Sequence, residues 1–368
     1  MDAEHLAVPG VRGLQPYQPG KPVEVLEREL GIRDAVKLAS NENPLGPPPA
    51  ALAAVRAAAG QVARYPDGSG HRLRHALAER LGVGADQVTL GNGSNDVLEL
   101  AARCFIAPGD EAVYSEHAFA VYPLVVQAVG GVGRVAPARD YGHDLEAMAA
   151  LVTPRTRVMF IANPNNPTGT WVEAAALDRL LAALPREVVV VLDEAYHEYV
   201  EDPAYPRGHA LVGDHPNLLV TRTFSKIYGL AGLRVGYGVS SPQLADLLNR
   251  VRQPFNVNSL GLAAAEAALG DEAHVARSRA VNGAGLAQLQ AGLDRLGLHW
   301  LPSAGNFITF HTPQPAGEVY RALLERGVIV RPVDNYGLPD HLRVTVGTEE
   351  DNRRFLAALG EALGAAGA

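Results

Sequence analysis

From about residue 49 to residue 265, short β-branched apolar runs alternate with helical patterns. The runs cover residues 88–90, 111–115, 157–162, 187–193, 218–223 and 234–240, and helical stretches such as 94–104 and 174–183 lie between most of them. Strands that alternate with helices predict βαβ units and a mostly parallel sheet covered on both faces, which is an α/β fold. Such sheets bind ligands beyond the carboxyl ends of their strands. After residue 265 the pattern changes to a long helix (272–296), strands at 306–310, 328–331 and 341–345, a helix at 317–326 and a last helix from Glu349. That is a compact, smaller α+β unit. Before it all lies a proline- and glycine-rich stretch, residues 13–22, that cannot be a helix interior, followed by a short helix at 23–30. The expected organisation is an N-terminal arm (1–38), a large α/β domain (39–265) and a small C-terminal α+β domain (266–368).

Composition adds a few constraints. The 368 residues are 47% hydrophobic and 20% charged, ordinary for a globular chain. A net charge of −8 leaves no positive excess for a nucleic-acid backbone, so no nucleic-acid partner is expected. A single cysteine, Cys104, excludes an intramolecular disulfide and fits a reducing compartment. Residues 1–5 lack the basic and apolar regions of a signal peptide, and the purest apolar strand, 188–192, is too short to span a membrane. A cytoplasmic protein is expected. Lysine occurs only at Lys21, Lys37 and Lys226, so side-chain amine chemistry has few candidates.

Four loops after predicted strands carry concentrated polar chemistry. Gly91-Asn92-Gly93-Ser94-Asn95-Asp96 joins a strand to a helix. It can cradle a phosphate on free N–H groups, although taken alone it reads as a helix cap by Ser94 or Asn95. Asn163-Pro164-Asn165-Asn166-Pro167-Thr168-Gly169 is a turn with more amides than a turn needs. Asp193-Glu194-Ala195-Tyr196 ends the most apolar strand, where a carboxylate needs a partner: a salt bridge, a cap or a ligand. The fourth loop, from Thr223 to Tyr237, holds Ser225, Lys226 and Arg234 in an apolar, glycine-punctuated setting. A buried lysine there has a lowered pKa and serves as nucleophile and base. His71 and His75 are four apart but lack the zincin glutamate, so they read as a helix surface and no metal is expected.

One ligand, pyridoxal 5′-phosphate, accounts for all four loops. It needs an amine (Lys226), an acid opposite the pyridine nitrogen (Asp193), donors to the ring oxygen (Tyr196, Asn166) and a phosphate cup (Gly93, Ser94, Asn95, Ser225, Arg234).

With these motifs, and with Leu38-Ala39-Ser40-Asn41-Glu42-Asn43-Pro44, Arg64-Tyr65-Pro66-Asp67, Gly327-Val328-Ile329-Val330-Arg331 and the segment 342–348, the chain resembles the fold-type I aminotransferases. Within them it resembles the histidinol-phosphate branch, from about Tyr17 to the last helix. The resemblance implies that Lys226 holds the cofactor and moves the substrate proton, that Asp193 pairs with the pyridinium, and that Phe119 stacks on the ring. It also implies that Tyr65 reaches the cofactor phosphate of a neighbouring subunit, hence a homodimer. Arg343 is implied for the substrate carboxylate and Arg331 with Tyr17 for a substrate phosphate, with Asn43 among the substrate-binding residues. For Arg331 the plain alternative is a surface salt bridge. Two departures stand out. Asn95-Asp96 replaces the family's frequent Asp-Glu, and His117-Ala118 replaces its usual Pro-Thr. The expected activity is a ping-pong transamination of L-histidinol phosphate with 2-oxoglutarate, giving imidazole acetol phosphate and L-glutamate. An aromatic or broad-specificity aminotransferase, a threonine-phosphate decarboxylase-like lyase and a non-catalytic regulator are the rivals.

Overall fold

A strand buried on both faces has no polar side, and residues 156–162 and 189–193 are accordingly apolar almost throughout. In the computed structural model, which describes residues 3–364, they lie at the centre of a seven-stranded sheet. The first two residues of the expected arm and the last four of the expected C-terminal unit lie outside the described residues. The strands are β1 (Val88–Gly91), β2 (Glu111–Ser115), β3 (Val132–Ala136), β4 (Thr156–Ala162), β5 (Val189–Asp193), β6 (Leu218–Thr223) and β7 (Gly236–Ser240). Their order is β1-β7-β6-β5-β4-β2-β3. Only β7 runs against its neighbours.

Alternate side chains of these strands enter two separate cores. Val113, Met159, Ile161, Val190, Leu192 and Val220 join one face. Ala112, Val158, Phe160, Val189, Val191 and Leu219 join the other. Helices Pro49–Ala58, His71–Leu81, Ala174–Ala183 and Ser259–Leu269 cover the first, through Ala51, Leu73, Leu77, Leu177 and Ala264. Helices Ser94–Phe105, Val121–Ala128 and Pro242–Val251 cover the second, through Val97, Leu98, Tyr122, Val126 and Leu248.

The six strands expected in this sheet are all present, those at 111–115 and 218–223 with the expected ends and the other four with shifted ends. Strand β7 begins at Gly236 rather than Arg234, because Arg234 adopts the left-handed region (φ 56°) after a 3₁₀ turn. Strand β3 has no counterpart among the runs read from sequence. It lies at the sheet edge with Val132 46% and Val135 51% exposed, so no burial imposes an apolar pattern on it.

The long helix Glu272–Arg295 leads to an antiparallel sheet of β8 (Trp300–Leu301), β9 (Phe307–His311), β10 (Arg331–Pro332) and β11 (His341–Thr345), in the order β8-β9-β11-β10. The period of two sorts its faces. Ile308, Phe310, Leu342 and Val344 pack on Leu289, Val319, Leu323 and Phe355 of three helices. Thr309, Arg343 and Thr345 point the other way, to Pro167, Ala39 and Asn41 of the main body. The single strand expected at 328–331 is divided. Val328–Ile329 pairs in parallel with Val36–Lys37, and Arg331–Pro332 pairs with β11.

Candidate active site

Strands β1, β2, β4, β5 and β6 end at one edge of the large sheet. Because β7 is antiparallel, its start lies there too, with Gly236 opposite both Gly91 and Thr223. The polar face of the second sheet and the arm close over that edge. The cavity between them, about 320 Å³, is lined by Tyr17, Ser94, Asn95, Phe119, Asn166, Asp193, Tyr196, Ser225, Lys226, Arg234, Arg331 and Arg343. Of the residues expected at the site, Gly93, Asn43 and Tyr65 do not line it.

The three lysines separate cleanly. Lys21 pairs with Glu29, and Lys37 with Glu42 at 3.0 Å. Lys226 has no carboxylate partner among the described residues and donates only to the Ser40 carbonyl at 3.3 Å. Burial lowers its pKa to about 7, and the positive charge of Arg343 pushes the same way. Its amine is therefore largely neutral above neutrality and available as nucleophile or base.

Asp193 is held at the end of β5 by the Tyr122 hydroxyl (2.9 Å) and the Thr221 hydroxyl (3.0 Å). Thr221 is its register partner on β6. No cation of the described residues lies within ion-pair distance. Burial raises its pKa despite these hydrogen bonds. A buried carboxylate without a countercharge calls for a cationic group in the cavity. The salt bridge considered for this strand end belongs to the next residue. Glu194 faces the other side and accepts from Arg222 Nη2 (2.7 Å) and Nε (2.8 Å).

At the other end of the cavity, Gly93 occupies the cap position of helix Ser94–Phe105 with φ 80° and no side-chain cap bond. Neither Ser94 nor Asn95 is the cap; the Asp96 N–H donates to the Gly93 carbonyl at 3.2 Å, which leaves the N–H groups of Ser94 and Asn95 for an anion. A Cβ on Gly93 would lie 2.5 Å from Arg234 Nη2, which explains the glycine. Arg234 Nη1 reaches the Ser225 hydroxyl (3.3 Å) and the Ala231 carbonyl (3.1 Å) but no carboxylate.

The remaining wall is cationic. Arg343 donates to the Ala39 carbonyl (2.7 Å) and to Asn166 Oδ1, while its buried Nε has no partner. The Arg331 guanidinium lies 5.5 Å from the Tyr17 ring centre. At 8% exposure and with no acid in reach among the described residues, Arg331 is not a surface salt bridge.

Three further expectations meet different surroundings. Asn43 spends Nδ2 on the Ile227 carbonyl (2.7 Å) and Ser278 (2.9 Å), bracing the lysine loop from behind. Tyr65 is 83% exposed, stacked on Phe255 at 4.7 Å. The Tyr196 hydroxyl accepts from Asn41 Nδ2 at 2.8 Å. Asn41, Tyr122 and Thr221 were not singled out from sequence. Asn41 lies inside a quoted motif, Tyr122 follows Phe119 by three positions, and Thr221 emerges only from strand register.

Comparison with known proteins agrees with this geometry. The family model for aminotransferase class I and II matches residues 33–359. A histidinol-phosphate aminotransferase of Pseudomonas aeruginosa is 62% identical over 360 residues, covering 97% of this chain and 98% of that protein. One from Nitrosococcus oceani is 59% identical over 354 residues, covering 96% of each. The crystal structure of the Sinorhizobium meliloti histidinol-phosphate aminotransferase in complex with pyridoxal-5′-phosphate superposes with a TM-score of 0.90 at 32% identity, covering 97% of both chains. With a buried unpaired lysine facing an unneutralised aspartate on this fold, the chain belongs to the class I and II aminotransferases, in their histidinol-phosphate branch.

Proposed function

We propose that the protein is a pyridoxal 5′-phosphate-dependent aminotransferase of histidine biosynthesis, exchanging an amino group between L-histidinol phosphate and 2-oxoglutarate. The observation that carries this reading is that Lys226 and Asp193 line one cavity together with Arg331 and Arg343. The residues fit the cofactor: a carboxylate lacking a countercharge, an amine of lowered pKa, and a glycine-floored cup beside an arginine that has no acid partner. Bound there, pyridoxal phosphate supplies an aldehyde that carries the amino group and a ring that accepts electrons.

The chain's own residues do the rest. Asp193 would favour a proton on the ring nitrogen of the bound cofactor. Tyr122 and Thr221 fix the orientation of that carboxylate. Ser94, Asn95, Ser225 and Arg234 bind the phosphate with the free helix N–H groups. Phe119 would pack against the bound ring, and Tyr196 and Asn166 would supply polar contacts to its oxygen. Lys226 Nζ, whose pKa is lowered to about 7 so that it is increasingly neutral above pH 7, would take the substrate α-proton and hold it for return. Arg343 binds the substrate carboxylate, and Arg331 with Tyr17 binds the phosphate. One site serves both substrates in turn, so kinetics are ping-pong.

A division into an arm (1–38), a large unit (39–265) and a small unit (266–368) is part of the proposal; the seven-stranded and four-stranded sheets support two units, while the 265/266 boundary falls inside helix Ser259–Leu269. A homodimer is part of the proposal, supported by the exposed cluster of Val62, Tyr65 and Phe255; Tyr65 then serves the neighbouring site. No described helix is long and apolar enough to cross a membrane, and a cytoplasmic location is proposed. Initial rates with histidinol phosphate, tyrosine and phenylalanine against 2-oxoglutarate test the reading. The expected result is a clear preference for histidinol phosphate and parallel double-reciprocal lines. A preference for the aromatic amino acids, or carbon dioxide release without an oxo-acid, contradicts it.

A further inference from the structure

None of the roles above uses His117. It is 8% exposed, in the loop between β2 and helix Val121–Ala128, two residues before Phe119. It does not line the active-site cavity. Its Nδ1 lies 2.7 Å from the Tyr336 carbonyl, and since a carbonyl only accepts, Nδ1 carries the proton. Tyr336 closes the 3₁₀ turn Asp334–Tyr336 that follows the strand of Arg331. In the other direction the His117 carbonyl accepts from Asn165 Nδ2 at 2.9 Å, next to Asn166. The ring lies over Tyr141, 6.0 Å between centres and 27° between planes.

One residue therefore joins three separate pieces of the site wall: the loop of Phe119, the turn of Asn166 and the segment carrying Arg331. We propose that His117 is a positioning residue that sets the distance between the Phe119 face and the Arg331 end of the substrate pocket. It acts through its Nδ1–H bond to Tyr336. Its effect falls on substrate recognition at Arg331 rather than on proton transfer at Lys226.

This rests on the proposed role of Arg331, and the experiment separates the two. Asparagine places its amide N–H groups close to the position of histidine Nδ1, whereas glutamine places them one carbon farther out. Both are polar and of similar size, so they differ chiefly in where the donor sits. KM and kcat are measured for L-histidinol phosphate and 2-oxoglutarate with the wild-type holoenzyme, His117→Asn and His117→Gln. Cofactor absorbance checks loading. A wild-type enzyme that does not turn over histidinol phosphate refutes the reading of Arg331 itself. If it does, His117→Gln is expected to raise KM for histidinol phosphate by about tenfold, as loss of a buried hydrogen bond implies. Its kcat changes by less than about twofold on that expectation, with a smaller KM change for 2-oxoglutarate, and His117→Asn stays near wild type. Equal impairment of the two variants, or a fall in kcat at unchanged KM, overturns the proposal.

Discussion

Arg331 and Arg343 are direct partners across the antiparallel pair β10–β11. Like charges directly opposite one another destabilise a sheet, and neither has a carboxylate partner among the described residues. Both line the cavity. On the roles proposed above, this positive charge serves anionic substrates, so its removal should weaken binding without unfolding the protein. Arg331→Ala is expected to lower kcat/KM for histidinol phosphate by about a hundredfold, consistent with loss of a charge-assisted contact of ~3 kcal/mol. Glutamate should lose less. The apoprotein's thermal midpoint should stay level or rise. Steady-state kinetics with both donors and a melting curve check this. Equal losses for the two donors would remove Arg331 from phosphate recognition.

A second expectation comes from Lys226. Its folded-state pKa of about 7 lies below the ordinary 10.5. Between those values the native apoprotein holds fewer protons on this group than the unfolded chain does. Its contribution to stability therefore rises with pH across that window, and the burial penalty is full below pH 7. Loading of apoprotein with added pyridoxal phosphate needs the neutral amine. Its rate should climb through about pH 7 and level off above. Stopped-flow absorbance from pH 5.5 to about 9 reads the midpoint. A midpoint near that of an exposed lysine would show that burial does not tune the amine.

The large sheet was legible because strands buried on both faces must be apolar, and the loops at their ends stand out against that background. Strand β3 was not legible, since an edge strand with exposed Val132 and Val135 carries no such obligation. The division of residues 328–332 between two pairings depends on where Val36–Lys37 docks, which no local pattern encodes. At the site, the charged residues were recoverable from loop chemistry. Some of the supporting hydrogen bonds were not, because Thr221 reaches Asp193 by register between strands and Asn41 reaches Tyr196 across 155 positions.

On the proposed reading, Asp193 is the residue whose charge the site most needs. In Asp193→Asn one carbonyl oxygen still accepts a hydrogen bond, so the fold should hold while the countercharge is gone. The expected loss in kcat is about a thousandfold, since a charge-based contribution of ~4 kcal/mol at an effective dielectric of about 20 is removed. Tyr122→Phe keeps the charge and removes one orienting bond, and should lose about tenfold at most. Single-turnover rates for both variants give the comparison. A Tyr122→Phe defect as large as that of Asp193→Asn would mean that orientation, not charge, dominates.

Below the site, Arg222 and Glu194 form an ion pair with Arg222 4% and Glu194 0% exposed. It joins β5 and β6 one residue beyond the Asp193–Thr221 contact, on the opposite face. Removing one member leaves the other charged and buried. Arg222→Met should therefore cost ~3–5 kcal/mol in denaturant unfolding. Adding Glu194→Gln to that variant should recover part of the loss. A cost below about 1 kcal/mol would place the pair among contacts that water can replace.

The most direct measurement follows the visible absorbance of the loaded enzyme as L-histidinol phosphate is added with no oxo-acid present. The expected result is loss of the cofactor's aldehyde-form band, and its full return when 2-oxoglutarate is added, with glutamate formed in stoichiometric amount. A band unmoved by histidinol phosphate but bleached by tyrosine or phenylalanine would contradict the assignment of the substrate. Absence of any band after pyridoxal phosphate is supplied would contradict the pairing of Lys226 and Asp193 around one cofactor.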